Sequence, residues 1–324
     1  MKWIDLSTVA FPGLGFELNL PAGFAIGSLE LRFYSFILAA GLLLACIYGL
    51  RRKQEFGLTE NDVIDGVLWI VPVAIICARA YYCAFEWDRF KDNPISVLYI
   101  WNGGIAIYGG IIGAAIGIVV YCRCKKISIP AALDITAISF LIGQAIGRWG
   151  NFFNREAFGA ETENFLRMGL NQMVLSDGTI ASSSSMFYYH PTFLYESLWN
   201  AAGFALLHYW SKHRKYDGQM ALGYVAWYGL GRTFIEGLRT DSLYWGPFRV
   251  SQMIGAISCF LAVGALLWFS FQDHEPAKLY VNRVAAKQAE EETELEIVEE
   301  DDEEVVEEDG EEIVEEVTEE TEEA

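Results

Sequence analysis

Apolar stretches of roughly 17 to 25 residues, each long enough to cross about 30 Å of hydrocarbon as a helix, recur along the 324-residue chain between short polar connections. They run from Leu29 to Leu50, Val63 to Phe85, Gly104 to Tyr121, Ala131 to Gly147, Pro191 to Trp210, Gln219 to Gly237 and Val250 to Phe271. The third, fourth and sixth are rich in glycine, which lets helices approach closely in lipid, where association has no hydrophobic driving force. The pattern predicts an all-α polytopic membrane protein with about seven transmembrane helices over residues 1–275, followed by an acidic tail over 276–324.

Charge divides the chain in the same place. The composition is 53% hydrophobic yet the formal net charge is −20. From Ala285 onward lie 22 of the 43 acidic residues and one of the 23 basic ones, so the part before it is close to neutral. The tail is too charged to bury a core and is expected to be disordered. Basic clusters at Arg51–Lys53, Arg123–Lys126 and Lys212–Lys215 follow the first, third and fifth apolar stretches. With seven spans all three share one side, which the positive-inside rule makes cytoplasmic. The amino terminus is then outside and the tail inside. The first residues lack a continuous apolar run, so no cleaved signal peptide is expected. The six cysteines match no metal or redox spacing and read as reduced packing residues.

The candidate chemistry lies at the opposite, outer ends. Gly147–Gly159, GRWGNFFNREAFG, sets two arginines, two asparagines and a glutamate directly after an apolar run. Ionisable groups next to hydrocarbon are costly and mark functional positions. If this stretch stays helical, Arg148, Asn151 and Arg155 share one stripe, a donor-rich face suited to phosphate or carboxylate. HPTFLYES places His190 before a helix that opens at Pro191 and carries Tyr195 and Glu196 inward. In YGLGRTFIEGLR, Tyr228, Arg232, Glu236 and Arg239 recur at helical spacing, so an Arg232–Glu236 pair is expected, with Arg239 on a related face. A fourth group, WNGGIAIYGG, opens the third span with two glycine pairs around Tyr108. The long connection after Phe158 is expected to fold over these residues, with Ser182–Ser185 suggesting that part of it is mobile.

Across Leu29 to Phe271 the sequence resembles the prolipoprotein diacylglyceryl transferase family. Gly147, Arg148, Gly150, Asn151, Phe152, Phe153, Asn154, Glu156 and Gly159 all satisfy the family signature. The His-Pro entry followed by Leu-Tyr-Glu, the Tyr-Arg-Glu-Arg series and the glycine pairs match as well. Tyr34 and Asp134 stand where the family often has Tyr and Asp, whereas Tyr108 stands where histidine is common. The resemblance implies a bacterial plasma-membrane enzyme with its active site on the extracytoplasmic side. Such an enzyme transfers the diacylglyceryl group of phosphatidylglycerol to the lipobox cysteine of prolipoprotein signal peptides, forming a thioether and releasing glycerol 1-phosphate. It implies substrate binding by Arg148, Asn151, Asn154, Gly159, Tyr34, Glu196 and Glu236. Arg232 and Arg239 would stabilise the leaving group, Glu156 would orient an arginine, and Tyr228, Tyr108 or His190 would take the thiol proton. No metal motif, phosphate loop or nucleotide fingerprint occurs, so no cofactor, metal or nucleic-acid partner is expected beyond membrane lipids. A transporter or a scaffold that uses the tail would also fit an apolar bundle. No pair of matching halves supports the first, and the second leaves the outer charges without a task.

Overall fold

In a computed structural model that describes residues 2–27, 29–174, 179–240 and 242–295, each of the seven apolar stretches forms a helix. These are α1 (Phe33–Arg52), α2 (Glu60–Phe85), α3 (Ile107–Lys125), α4 (Ile129–Asn154), α5 (Thr192–Ser211), α6 (Gln219–Ile235) and α7 (Val250–Ser270). Five of them, α1 to α4 and α7, are long and apolar enough to cross a membrane. The other two differ for a physical reason: α6 has only 17 residues, and α5 carries buried Glu196, Ser197, Asn200 and Ser211 along its inner face.

Helix α4 lies at the centre and packs on α1, α5 and α6, while α2 pairs with α3 and α6 with α7. Small residues set these distances. At the α6–α7 crossing a Cβ on Gly229 would lie 2.6 Å from the Gly255 carbonyl oxygen, and at the α1–α4 crossing one on Gly41 would lie 3.3 Å from that of Gly143.

The basic connections gather at one end of the bundle. Asp134, fully buried on α4, accepts hydrogen bonds from the backbone N–H groups of Gly218 (2.8 Å) and Ala221 (2.9 Å), and so caps α6 from a neighbouring helix. Arg52 of α1 donates to Ser211 of α5 at 3.0 Å. The chain after α7 returns to this end, where the Tyr280 N–H donates to Asp217 and the Tyr280 ring joins the core around Phe56, Ile138, Leu207 and Met220. Residues 280–295 are helical. The segment expected to be disordered therefore begins as a helix with exposed charges, supported by a Lys287–Glu291 pair one turn apart. Residues 296–324, the bulk of the acidic tail, lie outside the described residues.

The expectation of an all-α chain needs correction at the other end. A three-stranded antiparallel sheet runs in the order β1 (Lys2–Ile4), β4 (Gly23–Ile26), β5 (Leu29–Arg32). A four-stranded antiparallel sheet runs in the order β3 (Phe16–Leu20), β2 (Ser7–Phe11), β6 (Met168–Val174), β7 (Ile180–Tyr189). A short hairpin pairs β8 (Tyr244–Trp245) with β9 (Phe248–Arg249). The period-two alternation in Leu29-Glu30-Leu31-Arg32 makes these residues a strand, so α1 starts at Phe33 and not at Leu29. Ser182–Ser185 lie in β7, where Ser182 pairs with Gln172 and the next residues fall at a register shift before Phe187 pairs with Leu170, so the expected loop is an irregular part of a strand. Val9, Phe11, Phe152, Phe158, Met168, Leu170 and Phe193 form a second core that clamps the end of α4 and the start of α5 under the sheet.

Candidate active site

The end of α4 is the first support of the site. Its helix continues through Asn154, so Arg148 and Asn151 do share a stripe. Arg155 does not join them. It caps the helix in the left-handed region (φ 54°), and its buried guanidinium donates to the backbone oxygens of Leu20 (2.9 Å) and Asp5 (2.7 Å). Burial pushes this arginine below its ordinary range; its task is to tie the amino-terminal arm to the bundle.

Three guanidinium groups converge on one carboxylate. Glu196, 4% exposed on the first turns of α5, receives Arg148 Nη2 at 2.6 Å, Arg239 Nη1 at 3.2 Å and Arg232 Nη1 at 3.6 Å. Arg232 Nη2 also reaches Glu236 Oε2 at 2.6 Å, the intrahelical pair expected from the spacing. With Glu196 and Glu236 ionised, the five groups carry one net positive charge. Such a buried cluster holds only if every member is paired, because removing one partner of a buried ion pair costs about 3–5 kcal/mol.

Arg239 reaches the cluster by another route than helical periodicity suggests. Helix α6 stops at Ile235, a 3₁₀ turn covers Glu236–Leu238, and Arg239 itself is extended. It is held by main-chain stitching: Gly159 bridges to Arg239, the Gly159 N–H donates to the His190 oxygen at 3.0 Å, and the Ala160 N–H donates to the Leu238 oxygen at 2.7 Å. A Cβ at position 159 would lie 2.6 Å from the His190 Cβ and 2.8 Å from the Leu238 oxygen. Gly159 thus serves close backbone approach, and its contacts are to protein. Arg249 adds a further brace by donating to the Glu236 main-chain oxygen.

A hydrogen-bond chain orients Arg148 from behind. Arg148 Nη1 donates to Asn151 Oδ1 at 3.4 Å, and Asn151 Nδ2 donates to Glu156 Oε1 at 2.9 Å. Asn154 Nδ2 reaches the same Glu156 oxygen at 3.3 Å, which leaves its own buried Oδ1 without a hydrogen-bond partner. Glu156 therefore orients an arginine through Asn151 and not by direct contact. The Tyr34 ring lies over Gly150, where a Cβ would stand 2.6 Å from it, so the glycine in the signature makes room for that tyrosine.

Beside the cluster is a narrow recess of about 10 Å³, room for about one water, lined by Glu196, Trp199, Asn200, Tyr228, Gly231 and Arg232. Tyr228 stacks on Tyr224 (centroids 5.7 Å apart), and its hydroxyl has no hydrogen-bond partner among the described residues. His190 stands just outside α5 with Asn164 and Tyr195, and burial lowers its imidazole below the ordinary histidine range. Tyr108, at the first turn of α3, is exposed and makes no hydrogen bond among the described residues. It sits on the helix that pairs with α2, and the structure does not bring it into the arginine cluster.

Sequence reasoning missed three supports. Asn200 is one turn from Glu196, so the shared face was readable from an i, i+4 spacing. Asn164 sits in a loop with no periodic signal. Arg79 of α2 spends its guanidinium on the carbonyls of Val97 (2.8 Å), Ser96 (2.9 Å), Gly103 (2.7 Å) and Gly104 (2.8 Å), fixing the connection before Tyr108; a buried arginine whose hydrogen bonds go to main chain leaves no sequence pattern. No group of three or more His, Cys, Asp or Glu side chains is gathered to hold an ion among the described residues.

Comparison with known proteins shows the family of the chain. The sequence model of the prolipoprotein diacylglyceryl transferase family matches residues 21–268. A phosphatidylglycerol–prolipoprotein diacylglyceryl transferase of Listeria monocytogenes serotype 4a is 43% identical over 263 residues, covering 79% of this chain and 92% of the relative. Transferases of the same name from Lysinibacillus sphaericus (41% over 257 residues; 76% and 91%) and Limosilactobacillus reuteri (40% over 282 residues; 84% and 98%) are similarly close. The chain belongs to the prolipoprotein diacylglyceryl transferase family.

Proposed function

We propose that this membrane protein transfers the diacylglyceryl group of phosphatidylglycerol to the thiol of a prolipoprotein cysteine, the first step of lipoprotein maturation. The observation that carries the reading is the convergence of Arg148, Arg232 and Arg239 on Glu196 at the end of the bundle opposite the basic connections. With all seven helices crossing the bilayer, that end is extracytoplasmic, where a secreted peptide and the outer leaflet both have access.

The reaction forms one bond and breaks one. The cysteine sulfur, as thiolate, attacks the glyceryl carbon that carries the phosphate; the C–S bond forms, the C–O bond breaks, and glycerol 1-phosphate leaves with the electron pair. The demand on the protein is electrostatic, because negative charge grows on the departing oxygen. Guanidinium groups aimed at one point in a water-poor site supply the stabilisation, and the planar fork of arginine matches phosphate oxygens better than lysine does.

Arg148 binds the headgroup phosphate, held by Asn151 and Glu156. Arg232 and Arg239 stabilise the leaving group. Glu196 keeps the three arginines together before the lipid arrives and yields part of their hydrogen bonding to the phosphate. Tyr228 lines the same recess and relays the thiol proton, passing its own hydroxyl proton to the departing phosphate as it accepts the one from sulfur. The adjacent arginines also favour the thiolate directly.

The experiment is transfer by purified protein in detergent from labelled phosphatidylglycerol to a lipobox peptide, comparing its cysteine with a serine version. Label is expected on the cysteine peptide alone, and Arg148→Ala is expected to abolish it. Labelling of the serine peptide, or normal rates with Arg148→Ala, would refute the assignment.

A further inference from the structure

Asn164 has no part in the chemistry above, yet its side chain is placed with care. It lies in the connection between α4 and β6, and its main chain is fixed on both sides: the Asn164 N–H donates to Thr162 Oγ1 at 3.3 Å, and Arg167 donates to the Asn164 oxygen at 3.2 Å. The amide Nδ2 lies 3.1 Å from His190 Nδ1 and 3.2 Å from Tyr195 Oη. The stitching through Gly159 and Ala160 ties this same connection to His190 and to Leu238, next to Arg239.

The chemistry of the three groups selects one arrangement. With Nδ2 toward the ring and the phenol, both amide hydrogens are used and a single buried acceptor, Oδ1, lacks a partner. Turning the amide over would bury two unsatisfied N–H donors in its place, the costlier outcome. Nδ1 has one in-plane lone pair. The Asn164 amide at 3.1 Å takes it in preference to the Tyr195 hydroxyl at 3.4 Å. A neutral ring whose Nδ1 accepts must carry its proton on Nε2. Burial disfavours the imidazolium of His190. The Tyr195 oxygen accepts from the same amide, so its own proton is free for another acceptor.

We propose that Asn164 is a positioning residue that fixes His190 in the Nε2–H tautomer, so that His190 serves the transfer as a hydrogen-bond donor to a substrate oxygen and not as the base for the thiol. The proposal rests on the transferase reading and narrows the three candidates for the base.

The test uses the full chain with ¹⁵N-labelled histidine in phosphatidylglycerol-containing micelles, at a pH where the rings are neutral. The chain has four histidines, and His190→Gln identifies the signal. The wild type is expected to show a protonated Nε2 and a bare Nδ1. In Asn164→Asp, where a carboxylate replaces the donor, the proton is expected to move to Nδ1 or to be shared as imidazolium. A wild-type ring protonated at Nδ1, or an unchanged spectrum in Asn164→Asp, would overturn the proposal. In the transfer assay, Asn164→Asp is expected to lower kcat about tenfold or more with little change in KM for the lipid. His190→Gln, whose amide nitrogen replaces Nε2–H, is expected to recover much of what His190→Ala loses; equal losses would exclude the donor role. The spectrum is independent of turnover. A wild type with the Nε2–H ring and no transfer would refute the transferase reading while supporting the tautomer, and an active wild type with the opposite ring would do the reverse.

Discussion

Glu196 is the residue on which the site turns, because it is the shared partner of Arg148, Arg232 and Arg239. Glu196→Gln keeps its shape and removes its charge, leaving mutually repelling guanidinium groups with Glu236 as their remaining carboxylate partner in the cluster. The expected result is a loss of about 3 kcal/mol or more in stability, read as a lowered Tm, together with a transfer rate at the limit of detection. Wild-type stability in the variant would show that the cluster is not held by this carboxylate. Arg148→Lys asks a different question, because lysine restores the charge without the fork. It is expected to lose about tenfold or more in kcat/KM, and retention of full activity would argue that Arg148 acts as a point charge. His190 adds a pH dependence. Its folded pKa lies below the ordinary value of about 6.5, so below that pH the unfolded chain takes up a proton that the folded chain refuses. Its contribution is therefore full above pH 6.5 and declines as pH falls toward the lowered folded value. Thermal unfolding of wild type and His190→Gln between pH 7.5 and 5.5 checks this, with a shallower acid-side loss expected in the variant.

Elements were legible where a single periodicity ran long enough. Every apolar stretch became a helix, and Arg232 and Glu236 met as their spacing required, because an i, i+4 relation needs no knowledge of the rest of the fold. Where the helix ended, the argument from spacing ended with it. Arg155 turned into the left-handed region and left the stripe shared by Arg148 and Asn151, and Arg239 arrived from a turn held by Gly159, a partner 80 positions away in sequence. The amino-terminal arm was illegible for a related reason: strands of three to five residues carry little pattern, and β2 finds its partner β6 only through long-range pairing. Asp134 shows the same limit on a helix. The resemblance marked it only as a position where the family often has Asp, whereas the structure uses it to cap α6. Asp134→Ala is expected to cost about 2 kcal/mol and to lower Tm without altering KM for the lipid. An unchanged Tm would mean that the cap is dispensable. At the crossing of α1 and α4, Gly150→Ala places a methyl group 2.6 Å from the Tyr34 ring, and a drop in transfer rate is expected from displacement of Tyr34 and the Arg148 turn.

The whole molecule separates its charges by end: the arginines gathered on Glu196 at one, and the basic connections with the returning chain at the other. That division yields a test of orientation which does not depend on turnover. Cys124 is exposed among basic residues at the end of α3, and Ser183 lies on β7 in the sheet at the opposite end. In a chain keeping Cys124 as its sole cysteine, a membrane-impermeant thiol reagent added to intact cells is expected to leave the protein unlabelled until the membrane is opened. In a cysteine-free chain carrying Ser183→Cys, the same reagent is expected to label at once. The reverse pattern would place the arginine cluster on the cytoplasmic side and remove the access that the transfer reaction needs. The carboxy-terminal segment answers to the same division. Truncation after Leu295 leaves the Tyr280–Asp217 hydrogen bond and the packing of Tyr280 in place, so the transfer rate and Tm are expected to stay at their wild-type values. Truncation after Glu275 removes both contacts from the end that holds Asp134 and the α6 cap, and a lowered Tm with an intact arginine cluster is the expected result.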